Sequence, residues 1–305
     1  MQFIKPGTKI PFTRYRNIAV AVSTLVNIAV LVLLFTRGPN LGVDFAGGTM
    51  VQLKFHQAVS IPEIRQALES VNLGGSVIQD FGQIGANEYL VRLEKDSGET
   101  GALGDEINKA LSRRFGENSF EVRRIEFVGP KIGEDLRWKG TWSVIAATVM
   151  MGVYIWIRFG WNFGSRFGLH FGLGAVIALV HDVLVTVGAL IVANYEFDLT
   201  IIAALLTIVG FSVNDTVVIC DRIRENMRKI KREKLETIIN TSINECLSRT
   251  ILTTTTTLLV LLALFVLGGA VIRPFAFSLM VGFISGVYST IFIAAPVILL
   301  WERGR

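Results

Sequence analysis

Six apolar runs, each about as long as a bilayer is thick, constrain this chain more than anything else in it. They are Ile18 to Phe35, Gly140 to Ile157, Leu169 to Ala193, Leu199 to Cys220, Thr250 to Ile272 and Phe275 to Leu300. A helix needs roughly 20 residues to cross about 30 Å of hydrocarbon, where no water satisfies an open backbone, so each run is predicted to be a transmembrane helix. A hydrophobic content of 51% over 305 residues agrees, and excludes a soluble protein of this size. The first run is too long for the apolar core of a cleavable signal peptide, and its exit, Phe35-Thr-Arg-Gly-Pro39, lacks a small-x-small cleavage site.

Basic residues set the orientation. Lys5, Lys9, Arg14 and Arg16 precede the first run, Arg158 and Arg166 follow the second, and Arg303 and Arg305 end the chain. The loop after the fourth run holds Arg222, Arg224, Arg228, Lys229, Lys231, Arg232 and Lys234. On the opposite side, residues 194–198 carry Glu196 and Asp198 instead, and Arg273 stands alone between the last two runs. Both termini are therefore expected in the cytoplasm. The net charge of +5 is read as this topological signal, and nucleic-acid binding is not expected. The two cysteines, Cys220 and Cys246, fall on the cytoplasmic side, so no disulfide is expected.

The order of segments divides the chain into a leader at 1–17, a first helix at 18–36, an outer domain at 37–139 and a five-helix bundle at 140–305. Within the outer domain, Thr49 to Phe55 alternates as a strand and Ser60-Ile-Pro-Glu63 reads as a capping box. Ile61, Ile64, Leu68 and Val71 then recur at helical spacing; strands follow at Ser76 to Phe81 and Glu88 to Glu94, joined through Gly82 to Asn87. A second helix bears Leu103, Ile107, Ala110 and Leu111, and Phe120 to Phe127 closes as a strand. The order βαββαβ predicts a ferredoxin-like α+β domain. It holds no cluster with metal-ligand or triad spacing and only a lone His56, so it reads as a binding module; no metal site is expected and the chain is not expected to be an enzyme.

The informative polar residues sit inside the apolar runs. Asp215 is the only formal charge between Leu199 and Cys220, where a carboxylate costs roughly 2.5 to 3.5 kcal/mol on insertion scales. Asn214 precedes it, Asp182 stands in the preceding run beside His181, and Arg249 opens the next. Thr253, Thr256 and Thr257 follow Arg249 at helical spacing, a stripe expected to face the bundle interior. Burial opposes the charge on Asp215 while a nearby arginine favours it, which suits a group that changes protonation state. A purely structural Asp215 and Arg249 ion pair is the alternative. Gly282 and Gly286, in register with Ser278 and Ser289, are expected to allow close helix packing. Leu235, Ile238, Ile239, Ser242, Ile243 and Cys246 form an apolar stripe, read as an amphipathic helix on the cytoplasmic membrane surface within residues 221–249.

Gly42-Val-Asp-Phe-Ala-Gly-Gly-Thr49, Gly210-Phe-Ser-Val-Asn-Asp-Thr216 leading into Asp221-Arg-Ile-Arg-Glu-Asn226, and Ser248-Arg-Thr250 before a threonine-rich run resemble the SecF branch of the SecD/SecF family. These are accessory subunits of the Sec translocase, within the resistance-nodulation-division superfamily. The resemblance implies a bacterial inner-membrane half-transporter that uses the proton gradient, together with SecD, to draw secreted chains outward. It implies SecD, the SecYEG channel, YajC and an unfolded secretory protein as partners, and a proton as coupling ion with no cofactor. It places Asp215 as the pathway acid and Arg249 as its basic partner; with the polar stripes it gives a pathway of Asp215, Arg249, Asp182, Asn214, Thr253, Thr256 and Thr257. Two other classes fit fewer residues: half of a small-solute exporter, and an intramembrane aspartyl protease using Asp182 with Asp215, for which the Gly-x-Gly-Asp setting is missing.

Overall fold

The computed structural model describes residues 9–81, 87–93, 100–163, 165–230 and 233–299, without the side chains at 81, 100–103, 162–167 and 270. The loop expected at 82–86, the strand end at Glu94, the side chains of Leu103 and Arg166, and Lys5, Lys231, Arg232, Leu300, Arg303 and Arg305 lie outside that description.

A short 3-10 turn, Phe12–Tyr15, leads into helix α1 (Arg16–Thr36). Then follow α2 (Val43–Ala46), β1 (Gly48–Phe55), α3 (Ile61–Glu69), β2 (Val77–Phe81), β3 (Glu88–Leu93), α4 (Thr100–Phe115) and β4 (Phe120–Val128). The remaining helices are α5 (Pro130–Phe163), α6 (Ser165–Val192), α7 (Leu199–Lys229), α8 (Leu235–Leu267) and α9 (Gly269–Ser289). A π-helical turn, Thr290–Ala294, joins α9 to α10 (Ala295–Val297). Among the described residues six helices are long and apolar enough to cross a membrane, as expected: α1, α5, α6, α7, α8, and α9 with its continuation.

The four strands form one antiparallel sheet in the order β2-β3-β1-β4. Alternation in β1 puts Val51, Leu53 and Phe55 on the face covered by α3 and α4, where Ile64, Leu68, Ile107 and Leu111 complete a core. The capping box forms, with Glu63 accepting the Ser60 amide at 2.9 Å, and these hydrogen bonds hold the exposed Glu63 carboxyl below its usual range.

A strap ties this sheet to the helices. The Gly42 amide donates to the Phe197 carbonyl and the Phe197 amide to the Asn40 carbonyl, each at 2.7 Å, and Arg92 of β3 donates to the Leu41 carbonyl. Asp44 then accepts the first amide of α7, Leu199 N, at 3.0 Å, while Asp198 caps the same helix through Ile201 N at 2.9 Å. Gly47 is needed here, since its φ is +73° and a Cβ would stand 2.8 Å from Pro130 Cα. Beside the strap, burial pushes the Glu196 carboxyl up, with Arg92 opposing and Asp198 adding to the shift.

In the bundle α6, α7 and α9 are the most deeply buried spans. A Cβ on Gly282 would collide with Ile208 of α7, and one on Gly286 would lie 3.2 Å from Ser212, so both glycines permit the close approach expected of them. The π-turn has a covalent cause: Pro296 cannot donate to the Phe292 carbonyl, and the ladder shifts so that the Ala295 amide reaches Thr290 O instead. The segment expected as a separate surface helix is instead the first half of α8. Its stripe, Leu235, Ile238, Ile239, Ser242, Ile243 and Cys246, is buried against α7 and against Phe12 of the N-terminal turn. Asn240 and Asn244 secure that turn, Asn240 Oδ1 accepting Thr13 N and Asn244 Oδ1 accepting Ile10 N, each at 3.0 Å.

Two outcomes follow from this packing. Gly282→Ala should destabilise the bundle by about 1–3 kcal/mol through overpacking, and adding Ile208→Ala should recover part of the loss; thermal unfolding in detergent reads both. Glu196 has a folded pKa above its unfolded value of about 4.3, so its contribution is present in acid and is lost as pH rises through the folded value. Glu196→Gln should therefore match the parent in acid and unfold at a higher temperature than the parent near neutrality.

Candidate functional site

Helix α7 carries polar groups toward two different neighbourhoods. Ser212 and Thr216 turn to α6 and α9, whereas Asp215 lies within electrostatic reach of Arg249 and Cys246 on α8. Asp215 is 6% exposed, yet it makes no ion pair within 4.0 Å with any described residue, Arg249 included. The structural ion pair is thus not formed in this chain. By helical rise Asp215 stands roughly 24 Å along α7 from its strap end, beyond mid-membrane.

The stripe through Arg249, Thr253, Thr256 and Thr257 does not take the interior position expected of it. Arg249, Thr253 and Thr256 are exposed, Thr257 is half-buried, and Asn214 on α7 is exposed beside them. The interior face of α8 belongs to Thr250, Thr254 and Leu261 instead. The reason is continuity: α8 is one helix, so the face already buried at Ile239, Ile243 and Cys246 continues at i+4 spacing through Thr250 and Thr254. Arg249, one residue from Thr250, is turned outward. The outward hydroxyls bond back to their own helix, Thr253 to Arg249 O at 3.0 Å and Thr257 to Thr253 O at 2.9 Å. Thr250 Oγ1 and Thr254 Oγ1 are buried without a partner.

Just past Asp215 a charged staple joins α7 and α8. Arg222 donates to Glu245 at 2.6 Å, and Asn226 donates to Glu245 at 2.7 Å and to Ser242 at 3.0 Å. A cleft of about 450 Å³, lined by Asp221, Arg222, Glu245, Cys246 and Arg249 among others, opens there. The sequence offered Asp221 to Asn226 as a motif but not this partnership, because Glu245 lies 23 residues from Arg222.

Asp182 belongs to neither of these. It is wholly buried between α6, α7 and α9, and its oxygens accept hydrogen bonds from Ser285 at 2.6 Å and from Ser212 and Ser289 at 2.8 Å each. His181 Nδ1 lies 3.2 Å from the same carboxylate. Asp182 is therefore spoken for and does not face Asp215 as the second acid of a protease. Nor do Ser285, His181 and Asp182 form a nucleophilic triad, since Ser285 approaches the same Nδ1 that faces Asp182. Of these partners, Ser212, Ser285 and the role of Ser289 were missed. The signal was available in the i, i+4 spacing of Ser285 and Ser289 on a span already recognised as small-faced.

Because Arg249 is exposed and unpaired with Asp215, Arg249→Ala should leave folding stability within about 0.5 kcal/mol of the parent, whereas breaking a buried pair would cost about 3 to 5. Denaturation of the purified chain distinguishes the two.

Comparison with known proteins adds to this geometry. The profile described as "Protein export membrane protein SecD/SecF, C-terminal" matches residues 107–304, and that of the SecD/SecF GG motif matches residues 32–59. A protein translocase subunit SecF from Magnetococcus marinus is 46% identical over all of this chain and 96% of its own length. The SecF of Vibrio alginolyticus is 40% identical over 98% of this chain and 91% of its length. The crystal structure of SecDF, a translocon-associated membrane protein from Thermus thermophilus, superposes with a TM-score of 0.85 at 32% identity. It is matched by 97% of this chain, which spans only 39% of that longer polypeptide.

Proposed function

The chain belongs to the SecD/SecF family and has a SecF-like role in protein translocation; from that premise we propose that it is the half of a proton-driven export machine whose ion path is completed by SecD. The observation that carries this reading is Asp215. It is an acid at membrane depth, nearly buried and without an ion-pair contact among the described residues, flanked by an open face of Asn214, Arg249, Thr253 and Thr256. A polar face left bare on a membrane helix is half of a path, and a second multi-helix subunit supplies the other wall. Thr257 and the unpaired hydroxyls of Thr250 and Thr254 give a proton or a water further places to rest. Arg249, in reach without bonding, adjusts the acid electrostatically as the two helices shift.

In this reading the sheet domain, with its βαββαβ order and its β2-β3-β1-β4 arrangement, is ferredoxin-like and stands outside the bacterial inner membrane, with both termini in the cytoplasm. The strap connects it to the helix that holds Asp215. Each proton crossing about 100 mV supplies roughly 2.3 kcal/mol, enough to bias a two-state movement of the domain but not to unfold a protein outright. The partners proposed are SecD, the SecYEG channel with YajC, and the unfolded secretory chain; no catalytic chemistry on a substrate is proposed.

Asp215→Asn keeps shape and loses titration, so it should leave complex yield unchanged and abolish the stimulation of export by the proton gradient, with Asp215→Glu retaining part. The double variant Arg249→Ala with Asp215→Asn should assemble and stay inactive. Export of a secreted precursor into inverted vesicles measures both; gradient-stimulated export in the Asn variant would show that Asp215 is only structural. Single cysteines at Asn214 and Thr253 should crosslink to the partner subunit.

A further inference from the structure

The cage around Asp182 is more complete than helix packing requires, and nothing on the α7 and α8 face uses it. Asp182 is 0% and His181 4% exposed, about 15 Å by helical rise from the strap end of α6 and so near the middle of its span. The groups facing the pair are Ser212 from α7 and Ser285, Ser289 and Tyr288 from α9; the Tyr288 ring lies 5.8 Å from that of His181, and its hydroxyl meets Ser23 of α1 at 3.0 Å. Among the described residues no lysine, arginine or second carboxylate contacts the pair.

Neutral hydroxyls solvate a carboxylate but do not cancel its charge, and a net charge at this depth is heavily penalised. Ser212 and Ser285 can each donate to Asp182, and Ser289 Oγ is shared between Asp182 Oδ2 and the Gly286 carbonyl at 3.1 Å; a compensating proton carried by the imidazole makes Nδ1 the donor to Oδ1 and leaves the pair neutral overall. We propose that His181 and Asp182 form a second proton-binding site, an imidazolium–carboxylate latch that holds α9 against α6 and α7 only while the pair carries one proton. Loss of that proton to water leaves a bare carboxylate in a closed cage, and the cage must open. Gly286 lets α9 come close to the cage, since a Cβ there would stand 3.2 Å from Ser212 Oγ. The element free to yield is adjacent. The π-turn begins at Thr290, directly after Ser289, where the hydrogen-bond ladder is already out of α register and a slip re-aims Ser285 and Ser289 together.

This inference rests on the proton-coupled reading above, and its test separates the two. Nitrogen-15 NMR of the histidine-labelled SecD-containing complex in lipid reads the ring directly, with His181 assigned by the signal lost in His181→Asn. The expected result is a doubly protonated ring at neutral pH that becomes neutral in Asp182→Asn, together with loss of gradient-stimulated export in both variants at unchanged complex yield. A neutral His181 ring in the parent overturns the latch; if His181→Asn does not assemble, the ring is assigned instead as the signal of this chain that survives replacement of His56 and His170 by asparagine. Asp215→Asn is assayed alongside. If it loses stimulation while Asp182→Asn and His181→Asn keep it, the latch alone falls; if all three keep it, the proton-coupled reading falls with it.

Discussion

A polar group at membrane depth has to find its compensation inside protein, and the bundle is organised by the two ways this chain meets that demand. Asp182 is compensated in cis, by hydroxyls delivered from two neighbouring helices and an imidazole from its own. That arrangement fixes α6, α7 and α9 as one tightly packed unit, with glycines at Gly282 and Gly286 where they touch. Asp215 has no such shell. Its side of α7 faces α8, which itself turns an arginine and threonines away from the core. The same physical cost therefore builds a closed region and an incomplete one within a few residues of α7.

The four-stranded sheet is not simply strung between two apolar helices. Its chain enters through a strap pinned to the start of α7 by main-chain hydrogen bonds and by Asp44, and it leaves through Pro130 directly into α5 against Gly47. A rotation of α7 thus reaches the sheet through short, stiff connections rather than through a flexible linker. Charge near that junction matters, since Glu196 is partly buried between Arg92 and Asp198.

Much of this was legible in the residues because membrane and sheet periodicities are strong. The six spans, the capping box at Ser60 and Glu63, the alternation in β1 and the small face of α9 all follow from local patterns. The outward turn of Arg249 was not legible, since it depends on α8 being a single helix whose buried face is set two to three turns earlier at Ile239 and Ile243. The cage around Asp182 was half legible: the acid stood out, but its serines come from two stretches of the chain more than 70 residues apart, and each alone looks like a packing residue. The π-turn had a visible cause in Pro296, though not a visible consequence.

The N-terminal turn has a consequence for biogenesis. Ile10 and Thr13 bond to Asn244 and Asn240 across sequence separations of 234 and 227 residues. At ribosomal speeds of about 5–20 residues per second, the leader waits roughly ten seconds to three-quarters of a minute for its partners to be made. During that interval Phe12 has no core to enter, and the far ends of α7 and α8 have no clasp. Closure of this clasp is thus a late, chain-length-gated event, and it marks the point at which the newly inserted polypeptide first becomes a single mechanical body.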